Sequence, residues 1–600
     1  MAPEQRAPLA IAHVTPFAWE TAGEVNRYVA NVCDELAGKA HNVLIIAPSQ
    51  SSALVRSSRR ALRDGASAVM RRAAEGPLVL GVGEVLPFAP MRRRSASLPV
   101  DVARTIEQAL SELPLDVVHV HEPFAPSASS AALRHSRALN VGSFHAPTER
   151  ILSTQLARPL TRLLFGRLDA RIASYHATVE LMQRFFPGDY KVILPGAASL
   201  PALEESPPNR DSAVHLLMLA DEERSAVRIF LRALRGIPSE LQWRATVLSE
   251  RALTAPATLS RRLRDRVHFT DSTELSREQA LQEADIVVLA SEGVMPAPAT
   301  LLTALAAGAV PVATRLPAYE ELLSEGSHGL LFERGDVETL GAQLGRLVAQ
   351  PELRESLHEA AEQLRASLSW ERTTSELEQV YRELAARRHD SRGDLSLGKR
   401  LASRSLVDVD LHMHTDHSHD CATPVEVLLA EAQQRGLGAI AVTDHNEISG
   451  ALEARAKSRG RVKVIVAEEI KTAEQGEVIG LFIEEKIPRG LTLDQTIAEI
   501  KRQGGLVYIP HPFDRLHSVP DYEHLLEVLD DVDAIEVFNP RVAISEFNDE
   551  AVRFAAKYRI PAGAGSDAHV PQGLGSVRIR MRDFDGPDEF LQSLREADIV

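Results

Sequence analysis

The chain has 600 residues, 44% of them hydrophobic and 25% charged, which predicts a globular protein of about two to four domains and not a disordered or fibrous one. Its formal net charge of −16 argues against a general binder of nucleic acid or anionic membranes. With two cysteines, Cys33 and Cys421, and no apolar stretch near the roughly 20 residues that span a bilayer, the chain is predicted to be cytoplasmic, without a disulfide framework or a membrane span.

Short apolar runs alternate with helical patterns up to about residue 390. IAHVTPF, NVLIIAPS, DVVHVHEP, AVHLLMLA and ADIVVLAS are examples, and this alternation is typical of open parallel sheets covered by helices. Pro-rich sequence at about 195–212 interrupts the pattern, so two Rossmann-like domains are predicted, at 1–200 and 201–386. The basic stretch 51–76 is interpreted as a helical or mobile excursion with a solvated face.

A polar, basic segment rich in Ser and Gly, 387–405, predicts a linker. After it the alternation resumes with shorter spacing, which defines a third domain at 406–600. Near the start of that domain, TPVE predicts a capping box, with Thr423 as the N-cap of a helix and Glu426 three residues later.

Two histidines open this third domain at strand spacing. In VDVDLHMHT polar and apolar residues alternate, which places His412 and His414 on one face of a strand. Alone the pair is weak evidence for a metal site, because polar strand ends are common. Later strand-like runs, however, also end in potential ligands, namely Asp444, His445, Glu468, Glu469, His511, Asn539, Asp567 and His569. Since strand ends converge on one face of a β/α barrel, these side chains are expected to form one metal-binding rim.

The residue types of this rim also indicate a reaction. Imidazoles and carboxylates without sulfur suit zinc, manganese or iron, and a carboxylate such as Glu469 could bridge two ions. Two ions about 4 Å apart lower the pKa of a bound water towards about 7 and stabilise the oxygens of an in-line displacement at phosphorus. Hydrolysis of a phosphate ester, on a small phosphorylated substrate, is therefore the expected chemistry.

Five motifs of the third domain resemble, in order and spacing, those of the PHP (polymerase and histidinol phosphatase) family. They are DLHMHTDHSHD, VTDHNEISG, AEEI, IPHPFD and GSDAH. The resemblance covers about 407–600 and implies a distorted β/α barrel with two or three divalent ions, Zn, Mn or Fe, that hydrolyses phosphate esters. Carried over by position, the implied metal ligands are His412, His414, Asp420, His445, Glu469, His511, Asp567 and His569.

One position departs from the family pattern. The family often has a histidine shortly after the bridging glutamate, whereas GEVIGLF has none, so Glu477 could substitute or one metal position could be weaker. Arg515 and Arg541 are candidate catalytic residues that would grip the substrate phosphate, because a guanidinium matches phosphate bidentately. A surface or helix-facing salt bridge is the alternative for both arginines.

The first part of the chain resembles retaining glycosyltransferases of the two-domain GT-B type, similar to family 4. DVVHVHEPF, GSFHAPTE and LLTALAAGAVPVATR carry this resemblance, which spans roughly 9–390 and implies a nucleotide sugar between two Rossmann-like domains. His145 matches the family's active-site histidine and is the candidate for ligand binding there; a simple hydrogen-bonded histidine is the alternative. The fold class expected for the chain is α/β, with two Rossmann-like domains followed by a distorted β/α barrel.

Other positions in this part of the chain oppose a nucleotide sugar. The departures are Ala220 and Ser225 at the donor-binding arginine and lysine, Met295 and Thr303 at two glutamates, and Glu24 at a glycine. The acidic residues 221–223 would repel a diphosphate. A non-catalytic scaffold, dimerisation surface or ligand sensor is therefore expected. A retaining transferase with an accessory hydrolase, and a binding protein with structural metals, are the alternatives; a nucleotide or sugar ligand and a second copy of the chain stay open as partners.

Overall fold

The structure is a computed structural model that describes residues 7–21, 23–86, 96–97, 99–125, 128–145, 165–197, 213–250, 259–514, 520 and 522–600. The chain divides into two compact units. The first consists of Met1–Ser136 and Asn140–Arg382, and the second of Arg137–Leu139 and Glu383–Val600. Within the described part of the chain, no helix has both the length and the apolar character needed to cross a bilayer.

The first unit begins with an eight-stranded sheet. Its strands are β1 (Ala10–Val14), β2 (Asn42–Ser49), β3 (Leu78–Leu86), β4 (Ala96–Ser97), β5 (Val117–His121), β6 (Leu139–Phe144), β7 (Ala170–Ala173) and β8 (Lys191–Val192). Their order is β4-β3-β2-β1-β5-β6-β7-β8, with β1 parallel to both β2 and β5. The helices described with it are α1 (Glu24–Gly38), α2 (Ser52–Arg63), α3 (Ala66–Ala73), α4 (Pro99–Glu112), α5 (Ala128–His135) and α6 (His176–Gln183). The stretch 51–76 is thus helical, as predicted.

A second, six-stranded parallel sheet follows in the same unit. Its strands are β9 (Val214–Leu219), β10 (Trp243–Ser249), β11 (Val267–Asp271), β12 (Ile286–Leu289), β13 (Val310–Thr314) and β14 (Leu330–Phe332), in the order β11-β10-β9-β12-β13-β14. Its helices are α7 (Arg224–Ala233), α8 (Arg261–Arg264), α9 (Arg277–Glu283), α10 (Pro298–Ala306), α11 (Pro317–Leu322), α12 (Val337–Ala349), α13 (Pro351–Glu362) and α14 (Trp370–Ala386). The central strands are buried along their whole length, which explains their continuous apolar sequences.

The second unit is built on a nine-stranded sheet. Its strands are β15 (Leu406–Asp410), β16 (Ala439–Val442), β17 (Lys463–Lys471), β18 (Glu477–Leu481), β19 (Leu506–Ile509), β20 (Ala534–Phe538), β21 (Ala562–Ala564), β22 (Ile579–Arg582) and β23 (Asp598–Ile599). Their order is β21-β20-β19-β18-β17-β16-β15-β22-β23. Beyond β15 and β21, Met413 bridges Ala568, so the sheet nearly closes into a barrel. The predicted fold class, two Rossmann-like domains and a distorted barrel, is confirmed.

Several helices accompany the strands of this barrel. They are α15 (Leu395–Leu401), α16 (Val425–Gln434), α17 (Ser449–Ser458), α18 (Leu493–Arg502), α19 (Tyr522–Glu527), α20 (Ser545–Tyr558) and α21 (Gly586–Leu594). The segment 387–405 therefore contains a short helix, and Arg400 in it bonds Glu589 of α21 at 2.7 Å. The predicted capping box of α16 is wrong. Pro424 is the N-cap, and the Thr423 hydroxyl lies instead 3.4 Å from the carbonyl oxygen of His569.

Candidate metal centre

The end of β17 decides which of two adjacent glutamates faces the barrel's histidines. Successive side chains of a strand point to opposite faces. Glu468 accordingly turns away and accepts a hydrogen bond from the backbone N–H of Ile487 at 2.9 Å. Glu469 lies on the other face, buried at 1% exposure, with both carboxylate oxygens next to imidazoles.

Four imidazoles surround the carboxylate of Glu469. Its Oε2 lies 3.4 Å from Nε2 of His412 and 3.5 Å from Nε2 of His414. The same oxygen lies 3.2 Å from Nδ1 of His445, and Oε1 lies 3.2 Å from Nε2 of His511. One carboxylate therefore lies at the middle of side chains from three separate strand ends, those of β15, β16 and β19.

The remaining candidate ligands join this cluster through shared members. Ligand atoms within 4.8 Å of one another occur in the groups His414, Asp420, His445 and His569; His412, His511 and Asp567; His412, His414 and Glu469; and His445, Glu469 and Glu477. These overlapping groups contain all eight of the ligands carried over from the family. We call the eight residues together with Glu477 the C-terminal cluster.

Two residues of the C-terminal cluster have strained backbones. Asp567 has a φ of 50° and His511 a φ of 27°, a region that non-glycine residues rarely adopt. The backbone N–H of Asp567 donates to the carbonyl of His412 at 2.7 Å, and its Oδ1 lies 3.3 Å from Nε2 of His414. Such strain persists only where the surroundings over-determine it, and it concentrates at functional sites.

Neighbouring carboxylates reverse the effect of burial on two of the imidazoles. Burial alone would lower the pKa of His412, but nearby negative charges, that of Asp567 foremost, raise it well above the usual range. Burial would also lower the pKa of His511, but the hydrogen bond to Glu469 together with the charges of Glu469 and Glu536 raises it to about 9. Burial prevails at His414, whose pKa is lowered. Without an ion, the cluster thus holds protons that a cation would displace.

Glu536, on β20, positions the cluster and was missed by sequence reasoning. Its Oε1 lies 3.2 Å from Nδ1 of His412, so the Nε2 of that ring is directed at Glu469. Its Oε2 accepts hydrogen bonds from the backbone N–H of His511 at 2.7 Å and from the amide of Asn539 at 3.1 Å. A carboxylate on the inward face of an otherwise apolar strand, AIEVF, is the signal that could have identified it.

Two further residues hold the loop that carries Asp567. Asp410, fully buried, accepts backbone hydrogen bonds from Ser566 at 2.9 Å and Gly575 at 2.8 Å. At Gly565, an added Cβ would lie 2.2 Å from Cβ of His412. This close approach of loop and strand leaves no room for a side chain, so position 565 requires glycine.

Glu477 is brought to the place that the sequence left open. Its Oε2 lies 3.9 Å from Nε2 of His511, and it shares a group with His445 and Glu469. Burial, with the charge of Glu469, raises its pKa. A carboxylate thus occupies the region in which a family histidine is missing.

The two candidate arginines and His145 have different outcomes. Arg515 lies outside the described residues. The guanidinium of Arg541, half exposed, bonds the carbonyl of Asp567 at 3.1 Å and contacts the ring of His569, which places it beside the cluster. His145 lies in the first unit, where its Nε2 is 2.8 Å from Nδ1 of His121.

The donor atoms of the C-terminal cluster fit a transition-metal ion. Both ring nitrogens of His414 are buried without a hydrogen bond, as expected for a ligand whose partner is a cation. The donors are imidazole nitrogen and carboxylate oxygen, a set that suits zinc, manganese or iron. The sulfur of Cys421 is directed at the carbonyl of His569 at 3.2 Å and belongs to none of the described ligand groups.

Different family models match the two compact units of the chain. The model described as "PHP domain" matches residues 410–532, and the one described as "PHP-associated" matches 545–599. "Glycosyltransferase Family 4" matches 25–197, and "Glycosyl transferases group 1" matches 213–350.

Individual relatives each match a portion of the chain. An uncharacterised protein of Methanocaldococcus jannaschii, MJ1587, is 37% identical over 22% of this chain and 82% of its own length. A phosphatidyl-myo-inositol mannosyltransferase of Mycolicibacterium smegmatis is 24% identical over 62% of this chain and 93% of its own. Among solved structures, a glycosyltransferase from Rickettsia africae ESF-5 is 15% identical, covers 63% of this chain and 99% of its own, and has a TM-score of 0.47.

Proposed function

Since this chain belongs to the PHP family through its C-terminal domains and carries glycosyltransferase family 4 and group 1 domains before them, we propose that it is a metal-dependent phosphoesterase whose chemistry lies in the second unit. The convergence of four imidazoles on Glu469 is the observation that carries the proposal. The expected substrate is a small phosphorylated molecule.

The C-terminal cluster would hold two or three divalent ions. Glu469 would be shared between two of them, since its Oε1 lies beside His511 and its Oε2 beside His414 and His445. The other ligands, Asp420, Asp567 and His569, belong to groups that include one or more of these histidines. When bound, such ions acidify a water molecule and stabilise negative charge on the oxygens of a phosphate ester.

The residues of the chain itself define how a substrate would approach. His412 and His414 are fully buried, whereas the side chains of Asp420 and Arg541 are 35% and 50% exposed. The cluster is therefore closed on the strand side and open towards Arg541. A guanidinium at this opening can bind phosphate oxygens through two parallel hydrogen bonds, which orients the ester towards the buried ligands.

The second sheet supports assigning the chemistry away from the first unit. An open α/β sheet binds its ligand where the strand order reverses, here between β9 and β12. At that point Glu222 accepts a hydrogen bond from the backbone N–H of Ala290 at 2.6 Å. Glu223 accepts from the N–H of Met295 at 3.0 Å and from the hydroxyl of Ser291 at 2.8 Å.

These two glutamates oppose binding of a nucleotide diphosphate in two ways. Their carboxyl groups already accept the hydrogen bonds that a phosphate would need, and the charge of Glu223 repels an anion. Burial raises the pKa of Glu222 to about 8, so this hydrogen-bonded group is costly to ionise. The alternative function, a nucleotide-sugar transferase, is favoured by the similarity to mannosyltransferases. It would require the side chains of Glu222 and Glu223 to move out of the binding position.

An activity screen of the full-length chain tests the proposal. With Mn²⁺, Zn²⁺ or Fe²⁺ added, p-nitrophenyl phosphate, phosphomonoesters, nucleotides and short oligonucleotides are the substrates. We expect hydrolysis that His412→Ala or Asp567→Ala lowers by about a thousandfold or more, with no change in the circular dichroism spectrum.

His145→Ala is the matched control, since it changes a partly buried histidine of the first unit and should leave hydrolysis unchanged. Hydrolysis that survives both cluster substitutions would overturn the proposal. Turnover of a nucleotide sugar that depends on His145 would establish the transferase instead.

A further inference from the structure

Three histidines meet on the two central strands of the first sheet. His13 on β1 and His119 on β5 are register partners, and His121 lies two residues further along the same face of β5. All three are fully buried, and each offers a ring nitrogen within 4.8 Å of the others. We call these three residues the N-terminal cluster.

The position of the N-terminal cluster is one at which sheets of this type bind ligands. The strand order of the first sheet reverses between β1 and β5. Open α/β sheets bind ligands beside such a reversal, at the carboxyl ends of the strands. His121 is the last residue of β5, so the cluster reaches that end of the sheet.

A chain of hydrogen bonds leads into the cluster and ends without a partner. The Nδ1 of His145 is 2.9 Å from the hydroxyl of Ser174, and its Nε2 is 2.8 Å from Nδ1 of His121. The Nε2 of His121 is in turn 3.0 Å from Nδ1 of His13. The Nε2 of His13 is buried and has no hydrogen-bond partner among the described residues.

Whichever way these hydrogen bonds run, Nε2 of His13 is left without a partner among the described residues. A neutral imidazole has one N–H and one lone pair, so each ring passes on one donor or one acceptor. If the bonds run towards Ser174, Nε2 of His13 keeps an unpaired lone pair; if they run the other way, it keeps an unpaired N–H. A buried polar atom left in this state calls for a partner such as an ion.

The imidazoles are in the protonation state that metals require. Burial lowers the pKa of His13 to about 3 and holds those of His119 and His121 well below their usual value. Neutral imidazole is the form that donates a lone pair to a transition metal, and no proton would need to be displaced near neutral pH.

We propose that His13, His119 and His121 bind one transition-metal ion, separate from the ions of the second unit. Tetrahedral zinc with bonds of about 2.0 Å places ligand nitrogens about 3.3 Å apart, and the three rings each offer one nitrogen within 4.8 Å of the others. The ring centroids are 4.5 to 5.3 Å apart, within the 4.3 to 6.4 Å of ring pairs in the C-terminal cluster.

Second-layer contacts hold the rings in place. His121 is bonded to His13 through Nε2 and to His145 through Nδ1, and the two nitrogens of His119 lie 2.7 Å from the hydroxyl of Ser143 and 2.6 Å from that of Tyr381. In each ring one of these hydrogen bonds would give way to the ion, and the other would hold the ring. Ligating histidines are commonly fixed through their second nitrogen in this way. His145 is thus assigned as a positioning residue for this ion.

The ligand set defines the class of metal. The group contains three nitrogens and neither carboxylate nor thiolate, which suits Zn²⁺, Co²⁺, Ni²⁺ or Cu²⁺ and not Mg²⁺ or Ca²⁺. Because buried positive charge is costly, the fourth position would be filled by an anion such as hydroxide.

Metal analysis of the full-length chain tests the proposal. The double variant His412→Ala with Asp567→Ala first weakens the C-terminal cluster. After dialysis against Zn²⁺ or Co²⁺, we expect about one equivalent to remain bound, with the visible absorption of four-coordinate Co²⁺. Adding His13→Gln should remove that equivalent and that absorption.

Two further variants keep the test decisive. His145→Gln should retain the ion but weaken its affinity about 10- to 100-fold, since it alters only the second layer. Where His13→Gln fails to fold, as judged by circular dichroism, His121→Asn provides the same measurement. In the chain with an intact C-terminal cluster, His13→Gln should leave phosphoester hydrolysis unchanged, so failure here is distinct from failure of the proposed function. An unaltered metal content and absorption in folded His13→Gln would overturn the proposal.

Discussion

The molecule contains two buried His-x-His pairs, and what lies between their rings separates them. His412 and His414 share the carboxylate of Glu469, whereas His119 and His121 are accompanied by hydroxyls and other imidazoles. Carboxylates raise the pKa of His412, while burial lowers those of His119 and His121. The same two-residue spacing therefore gives a cluster centred on a carboxylate in one unit and a cluster of neutral imidazoles in the other.

The largest effect is expected from removing the charge at the middle of the C-terminal cluster. Glu469→Gln keeps the size of the side chain but cannot be shared between two cations, so kcat/KM should fall by about a thousandfold or more. Glu468→Gln is the matched control, because this adjacent buried glutamate points to the other face and bonds only the backbone of Ile487. Equal losses in Glu469→Gln and Glu468→Gln would contradict the placement of Glu469 at the middle of the C-terminal cluster.

In the metal-free chain, the contributions of His13 and His511 to stability should depend on pH in opposite directions. His13 has a folded pKa of about 3 against 6.5 unfolded, so its contribution to stability is present above about pH 6.5 and is lost as the pH falls towards 3, up to about 5 kcal/mol. His511 has a folded pKa of about 9, so its contribution is present below about pH 6.5 and is lost as the pH rises through 9, up to about 3 kcal/mol.

Each unit can be followed separately in this experiment. The three tryptophans, Trp19, Trp243 and Trp370, all lie in the first unit, so their fluorescence during urea unfolding reports that unit alone. Hydrogen exchange of β17 and β19 reports the second. Parallel pH profiles for the two units as the pH rises from about 6.5 through 9 would contradict the electrostatic contrast between His13 and His511.

A smaller loss is expected from Glu536→Gln, which leaves the ligands in place but changes the orientation of His412. Metal affinity and kcat should each fall about 10- to 100-fold. Asp531→Asn, at an exposed carboxylate three residues before β20, serves as the comparison and should be neutral. Unchanged metal affinity in Glu536→Gln would show that this carboxylate does not position the histidine.

The smallest effect is expected at the opening of the cluster. Arg541→Ala should raise KM about tenfold with a lesser change in kcat, because the guanidinium binds phosphate oxygens without holding an ion. Arg541→Lys should recover part of that loss through its charge. A fall in metal content in Arg541→Ala would assign the residue to the cluster and not to substrate.

Sequence patterns predicted the parts of the molecule that depend on local periodicity. The apolar runs give the buried strands, and ligand-type residues at strand ends converge because barrel geometry brings those ends together. The pair Glu468 and Glu469 shows the limit, since alternation says that the two side chains diverge but only the packed barrel shows which one meets the histidines.

Long-range contacts account for what the sequence missed. Glu536 lies before the end of its strand, 124 positions from the histidine it orients, so no local pattern links them. The prediction of a capping box was wrong because Thr423, too, makes a contact that is distant in the sequence. Thr423 lies near the carbonyl of His569, 146 positions away, and is not the cap of its helix. Domain boundaries and the role of each ligand stay predictions.

Anomalous diffraction from crystals of the full-length chain grown with Mn²⁺ tests most directly whether the ligands around Glu469 bind metal ions. We expect anomalous peaks among these ligands, with at least one peak contacted by His412 and Asp567. A map without anomalous density at that cluster, from protein that hydrolyses phosphate esters, would contradict this expectation.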